Sequence, residues 1–333
     1  MEWNVENLFD TRHDSLKDDQ EFLPSSLRHW SYTRYRRKID NLARIITAVG
    51  QWDAPALVAL CEVENDSVLR DLTRRSPLKE WKYRYVVTHS PDPRGIDVAL
   101  LYQRDQFKLL ASRSIRIAPF GHHRRTRDVL HVSGLLLTGD TLDVLVCHLP
   151  SRAGGVKETE GYRNFVAERI RLQADSLLRA RRRPQLIVTG DFNDRPTGSS
   201  LRKVLQAMPS PHSPARPDPL KLYQLPSLAT REKALGTYKY QGQWEVIDHI
   251  LVSGNLLDAE CPFSVPQRRA YIFHPSFLLQ EDSKYGGYEP FRTYRGMKYQ
   301  GGYSDHLPVY ADFGGQGGST PMDINTRTDG HRK

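Results

Sequence analysis

The sequence predicts an α+β fold built on mainly antiparallel or mixed sheets. Three observations carry this. Many short apolar runs are bounded by turn residues, as strands are. Several neighbouring runs are joined by short, hairpin-type connections such as Gly139-Asp140. Helical periodicity appears only a few times, and the regular strand–helix alternation of a doubly wound parallel sheet is missing.

Val5 to Phe9 reads as an opening strand, and residues 10 to 33 as a polar and aromatic loop. Ile39, Leu42, Ile45, Ile46 and Val49 recur at helical spacing, so a helix is expected from about Arg34 to Val49, with Gly50 as its stop. Its basic start (Arg34, Arg36, Arg37, Lys38) opposes the helix dipole. A solvated face is the first reading there, and a ligand-facing surface the second. Ala56 to Leu60 is a buried strand running into Cys61-Glu62-Val63-Glu64-Asn65, and Asp66 is expected to cap a short helix through Arg75. Strands follow at Tyr83 to Thr88, Asp97 to Tyr102, Phe107 to Ile117, Val129 to Thr138 and Leu142 to Cys147, the last delivering His148 and then Arg152. A long helix is expected over roughly Lys157 to Arg181, with Phe165, Val166, Ile170, Ala174, Leu177 and Leu178 as its apolar face.

Leu186-Ile187-Val188 then forms a short apolar strand that turns at Gly190 and presents Asp191, Asn193 and Asp194. Polar groups delivered at the end of a buried strand are rigidly aimed, which suits catalysis. An Asx-rich turn is the plain alternative. A helix from about Ser199 to Met208, an irregular excursion over 209 to 243, a strand at Val246 to Val252 and an aromatic, glycine-rich loop from Tyr285 to Gly302 come next. The chain closes with a strand at Val309 to Phe313. One domain over 1–313 and a disordered tail over 314–333 are the expected organisation.

No apolar run approaches the roughly 18 residues of a membrane span. No signal peptide is visible, so a cytoplasmic protein is expected as the sequence is written, or an exported one if the start is trimmed. Three cysteines make no disulfide framework; Cys61 and Cys147 read as buried thiols. The formal charge of +9 favours anionic partners without specifying chemistry. A monomer is the default.

Glu62, Asp191, Asp248 and Asp305 all sit at or in apolar strands. One such carboxylate is usually structural, because buried charge must be paired. Four, accompanied by Asn4, Asn193, His148 and His306, point to a site. Oxygen ligands without a cysteine cluster suit Mg2+, Mn2+ or Ca2+; zinc fits less well, since nothing resembles HExxH. Imidazoles beside such an ion act as acid, base or donor to a phosphoryl oxygen. The set implies metal-assisted hydrolysis of a phosphate ester.

Six blocks, Trp3-Asn4-Val5-Glu6-Asn7, Leu60-Cys61-Glu62-Val63, Cys147-His148-Leu149, Gly190-Asp191-Phe192-Asn193, Ile247-Asp248-His249-Ile250 and Ser304-Asp305-His306-Leu307-Pro308, resemble in order the endonuclease/exonuclease/phosphatase superfamily, the DNase-I-like fold. The resemblance spans about residues 3 to 313. It implies a four-layer α/β/β/α sandwich, two mixed sheets packed face to face with helices outside. It implies Glu62 as principal metal ligand with Asn4 near it, and Asp305 as a further ligand or metal-water contact. Asp191 would orient or deprotonate the attacking water, and Asn193 would hold the phosphate or nucleophile. His306 would stabilise charge or act as base, oriented by Asp248. His148 resembles the second histidine of the DNase, sphingomyelinase and inositol-phosphatase branches, contacting phosphate or serving as acid; it argues against the abasic-site endonuclease branch.

Around this set, Arg152 reads either as a phosphate contact or as a surface salt bridge, and Asp97 either as a brace for His148 or as a plain strand-end carboxylate. His249 reads as a strand histidine satisfied locally. The run His122, His123, Arg124, Arg125, Arg127 reads as a solvated loop, with phosphate contact as the alternative. Tyr285, Tyr288, Phe291, Tyr294 and Tyr299 either stack on bases or form the loop's own small core. The expected activity is hydrolysis of phosphodiesters, with nucleic acid among the candidate substrates. A phosphomonoesterase or phospholipid-headgroup hydrolase is the alternative. A catalytically dead binding module is a third reading, opposed by the completeness of the ligand set.

Overall fold

The structure, a computed structural model, describes residues 1–211, 216–228 and 236–314. The expected tail over 314–333 lies outside these residues except for Gly314. In chain order the elements are β1 (Glu2–Leu8), α1 (Tyr32–Gly50), β2 (Leu57–Val63), α2 (Asp66–Arg74), β3 (Arg84–Val87), β4 (Asp97–Tyr102), β5 (Phe107–Ile115), β6 (Val129–Leu136), β7 (Thr141–His148), α3 (Val156–Ala180), β8 (Gln185–Asp191) and β9 (Met208–Pro209). They continue as β10 (Leu222–Gln224), β11 (Ser227–Leu228), β12 (Tyr238–Tyr240), β13 (Gln243–Glu245), β14 (Asp248–Ser253), β15 (Ala270–Ile272), β16 (Leu279–Glu281), β17 (Tyr288–Pro290), β18 (Tyr294–Arg295), β19 (Lys298–Tyr299) and β20 (Val309–Tyr310).

The first large sheet runs β11-β15-β20-β1-β2-β4-β3 and the second β5-β6-β7-β8-β14-β10-β9, both mixed. Three apolar clusters stack them into four layers. One joins the first sheet to α1 and α2 through Trp3, Ile39, Leu42, Ile46, Leu60 and Leu69. A second fills the space between the sheets, from Ala59, Val98 and Leu100 on one side and Val132, Val144, Val146 and Ile250 on the other. A third joins the second sheet to α3, through Leu145, Val188, Val166, Ile170 and Leu178. Alternation along each strand makes this possible: in β7, Val144 and Val146 face the partner sheet while Leu145 and Cys147 face α3. Each fully buried aliphatic chain contributes about 1.5–3 kcal/mol.

The structure moves several expected boundaries. The cap of α2 is Asn65, whose side chain accepts from Ser67 and Val68 N–H, rather than Asp66. The helix expected over Ser199 to Met208 is a single wide turn, Ser200–Val204. Asp194 seizes the N–H and hydroxyl of Ser200, and Ala207 N–H bonds back to Leu201, so no regular turn follows. The 209–243 excursion supplies β10 and β11, one to each large sheet. The basic start of α1 is not a plain solvated face. Lys38 is buried, donating to Thr293 Oγ1 at 2.6 Å, and Arg34 lies 4.4 Å over the Tyr299 ring. Arg127 is likewise buried instead of solvated. In the aromatic loop, Tyr288, Phe291, Tyr294 and Tyr299 pack onto the first core, and only Tyr285 is well exposed. No helix among the described residues is long and apolar enough to cross a membrane.

Candidate active site

Register builds half of the site. In the second sheet His148, Asp191 and Asp248 lie abreast, because β7 pairs His148 with Asp191 and β14 pairs Asp248 with Asp191. The close approach requires Gly190: at φ 143°, a Cβ there would fall 1.8 Å from the Cys147 carbonyl oxygen. The first sheet delivers the other half. β1 and β2 run parallel with Asn4 opposite Cys61, and both lose regular register just beyond, between Asn4 and Leu8 and near Cys61. Glu6, Asn7 and Glu62 adopt positive φ there, and Asn193 does so after β8. Ser304 ties the last loop in: its hydroxyl donates to the Asn4 carbonyl at 2.7 Å and accepts from His306 N–H at 3.1 Å.

Asp191 is the centre. Its Oδ2 accepts from Asn4 Nδ2 at 3.1 Å and lies 3.5 Å from His148 Nε2 and 3.9 Å from His306 Nε2, while Oδ1 accepts from Asn193 N–H at 2.8 Å. Burial, then the neighbouring Asp248, push its carboxyl up to about 7, against the pull of His306 and the two amide donors. His306 Nδ1 sits 2.9 Å from Asp248 Oδ2. Burial opposes charge on that ring, but Asp248, Asp191 and Asp305 outweigh it and hold His306 well above the usual histidine range. His148 goes the other way: burial, with Arg127 and Arg94 nearby, keeps it neutral. Its Nε2 faces Asp191 and, at 4.0 Å, Glu62 Oε1, so the proton belongs on Nε2. Its Nδ1 is buried and without a partner among the described residues. Glu62 Oε2 accepts from Asn7 N–H at 2.9 Å.

Not every expected residue joins this group. Asp97 does not brace His148; it accepts from Thr88 Oγ1 at 2.6 Å and Ser90 N–H at 2.8 Å, organising its own turn. Arg152 makes a salt bridge to Glu245, which among the described residues leaves its other guanidinium donors free for an anion. His249 is satisfied locally, by Gln224 at 3.0 Å and the Asp194 carbonyl at 2.9 Å. Asp305 is held by Arg292 at 2.6 Å. Burial would raise its carboxyl, but Arg292, His306 and Lys38 together lower it. Asn193 spends its amide on the Leu149 carbonyl, 3.1 Å away.

Sequence reading missed the residues that brace the site. Glu6 accepts from Thr293 N–H at 2.6 Å and Tyr294 N–H at 3.3 Å, and its carboxylate lies 3.7 Å from Arg292. Burial pulls Lys38 down to about 8. Arg127 donates to the Leu149 carbonyl at 2.7 Å and to Asp92 at 3.2 Å, joining turns from both sheets under His148. Tyr238 lays its ring 4.9 Å from that of His306. Only Lys38 left a signal: it shares the apolar stripe of α1 with Leu42 and Ile45.

The donors suit a hard divalent cation. Among the described residues, Asp191 and Asp248 share a single imidazolium in His306, and Glu62 has no cationic side chain bound to it, so negative oxygen is in surplus there. Asp191, Asp248 and His306 also place polar atoms within 4.8 Å of one another, but a charged His306 ring bound to Asp248 has no lone pair for a metal, which leaves the oxygens of Glu62 and Asn4 as the ones that could hold it.

A four-layer sandwich with carboxylates, amides and two imidazoles gathered at one end of both sheets defines the DNase-I-like class. The chain belongs to the endonuclease/exonuclease/phosphatase family, whose model matches residues 1–314. An endonuclease/exonuclease/phosphatase family protein from Bacteroides thetaiotaomicron superposes with TM-score 0.57 at 17% identity, covering 94% of this chain and 92% of that one. The mannosyl-6-phosphatase of Bacteroides thetaiotaomicron VPI-5482 gives 0.54 at 16%, covering 94% and 97%. Humanized D. rerio TDP2 gives 0.52 at 17%, covering 94% and 96%. At these identities the likeness establishes the fold. No curated protein matches the sequence.

Proposed function

We propose that this chain is a divalent-metal-dependent hydrolase of phosphodiesters. One observation carries the reading: the Asp191 carboxylate is set between a neutral His148 and a charged, Asp248-backed His306. Members of the family are hydrolases acting on phosphate esters and typically use divalent metals. Asp191, with a proton affinity near neutrality, takes the proton of an attacking water. His306 donates from Nε2 to the phosphoryl oxygen as charge develops, and Asp248 fixes its tautomer. His148 donates from Nε2 to a second oxygen. Glu62 and Asn4 would hold the metal, with Asp305 beside them once Arg292 is displaced. When bound, the ion would supply Lewis-acid stabilisation of the phosphoryl charge.

The test is hydrolysis of bis(4-nitrophenyl) phosphate with added Mg2+ or Mn2+, with Glu62→Gln alongside. Wild type should turn over, and the variant should lose both turnover and metal affinity while remaining folded. Undiminished wild-type turnover in saturating chelator would sink the metal-dependent reading.

A further inference from the structure

The hairpin β12–β13 stands beside the site. Tyr238 bridges to His306 through the backbone as well as the rings, and across the hairpin it faces Glu245. The Glu245 side chain is only 8% exposed and is gripped by two guanidiniums. Arg195 donates to Oε1 from Nε, at 2.7 Å, and from Nη2; Arg152 donates to Oε2 from Nη2. Arg152 lies four residues beyond His148, and Arg195 four beyond Asp191. One carboxylate therefore ties together the loops that leave the two central site strands. Neutrality would need one guanidinium; the second leaves a net positive charge. The Arg195 side chain is 64% exposed, so that charge faces the rim. Guanidinium N–H groups match phosphate oxygens in a fixed fork, and each arginine keeps donors beyond those spent on Glu245.

We infer that Arg152 and Arg195 form a subsite for a second phosphate group of the substrate, beside the one that is cleaved, and that Glu245 is the positioning residue that holds the pair in place. This rests on the phosphodiesterase reading above. On that reading the second phosphate is the next one along a nucleic acid strand; a sugar bisphosphate, whose phosphates are both monoesters, would keep the subsite but move the cleaved bond to a phosphomonoester.

Equilibrium binding to the full chain in chelator separates the parts. The probes are the dinucleotides TpT and 5′-phosphorylated pTpT, and the pair fructose 6-phosphate and fructose 1,6-bisphosphate. Wild type should bind the probe with the extra phosphate about tenfold more tightly in at least one pair. Preference within the nucleotide pair identifies a strand, and within the sugar pair a bisphosphate. In Glu245→Gln the preference should collapse toward unity. Removing a negative charge would by itself tighten every anion, so a variant that binds pTpT more tightly with its preference intact overturns the positioning role. Arg195→Lys keeps the charge without the fork and should lose most of the preference; it carries the test if Glu245→Gln melts early. Equal affinities in both pairs for wild type overturn the subsite, whatever the outcome with bis(4-nitrophenyl) phosphate.

Discussion

Two carboxylate–imidazole clusters share the second sheet, and they are opposites. In the inner one, β6 and β7 bring His131 and Ser133 to Asp143, and Arg181 reaches over from the end of α3. Burial would raise the Asp143 carboxyl. The bonds from His131, Arg181 and Ser133 outweigh it and hold it down at about 2. At the strand end, Asp191 has a histidine on either side and two amide donors, yet burial and Asp248 hold it up at about 7. The inner cluster resembles a triad in composition only. Ser133 and Asp143 approach the same His131 nitrogen, while Nδ1 accepts from Arg113, so no relay can form. Every charge in the inner cluster is answered, and the group is inert. The outer one gathers carboxylates with too few cations, and that unanswered charge is what a metal ion and a phosphoryl group would relieve.

The contrast can be broken most sharply at Asp191. Asp191→Asn should lower phosphodiester turnover about 1,000-fold while leaving the thermal midpoint unchanged or higher, because it removes a carboxylate the fold strains to bury. Initial rates and melting curves on one preparation decide this, and a midpoint many degrees lower would place Asp191 with the structural cluster.

Next comes the pair behind it. His306→Ala should lose more turnover than Asp248→Asn, and the double variant should be no worse than His306→Ala alone, since the carboxylate acts through the ring. Fully additive losses would uncouple them.

The inner cluster should behave in reverse. Asp143→Asn should cost stability on the order of 1–2 kcal/mol with activity per folded molecule retained. The Asp143 carboxyl is lower in the folded chain than in the unfolded one, so its stabilisation is complete above about pH 4 and is lost as the pH falls through about 2. Denaturant midpoints of wild type and variant should therefore converge in acid. Smallest of all, Arg113→Gln removes an exposed donor from His131 and should change stability by no more than about 0.5 kcal/mol. A loss of several kcal/mol would mean that His131 depends on it.

The outer cluster was legible in the sequence and the inner one was not. Glu62, His148, Asp191 and Asp248 each close or interrupt an apolar run, His306 stands just before one, and strand ends are where charge stands out. The register that sets His148 and Asp248 on either side of Asp191 belongs to pairing, which no single run displays. Arg127 looked solvated because its neighbours Arg124 and Arg125 are basic; its partner Asp92 is 35 residues away in the chain. Lys38 meets Tyr303 across 265 residues. Asp97 stands in an otherwise apolar run, which leaves a brace for His148 and a plain strand-end carboxylate equally open; Thr88 and Ser90, on its own turn, decide for the second. Local chemistry was also misjudged by one residue at Asn65, where two competent caps stand side by side.

Four positions around the site, Glu6, Asn7, Glu62 and Asn193, hold φ between 48° and 67°. This restricts the alphabet from which the site can be rewritten. Valine, isoleucine and threonine are disfavoured at such angles by their own backbone, before any question of charge or fit arises, whereas asparagine, aspartate and glycine are tolerated. A saturation library at position 62 is therefore effectively much smaller than it looks on paper. Attempts to retune the chemistry have more room in β7, β8 and β14, where His148, Asp191 and Asp248 sit on extended backbone that accepts any side chain the pocket can hold.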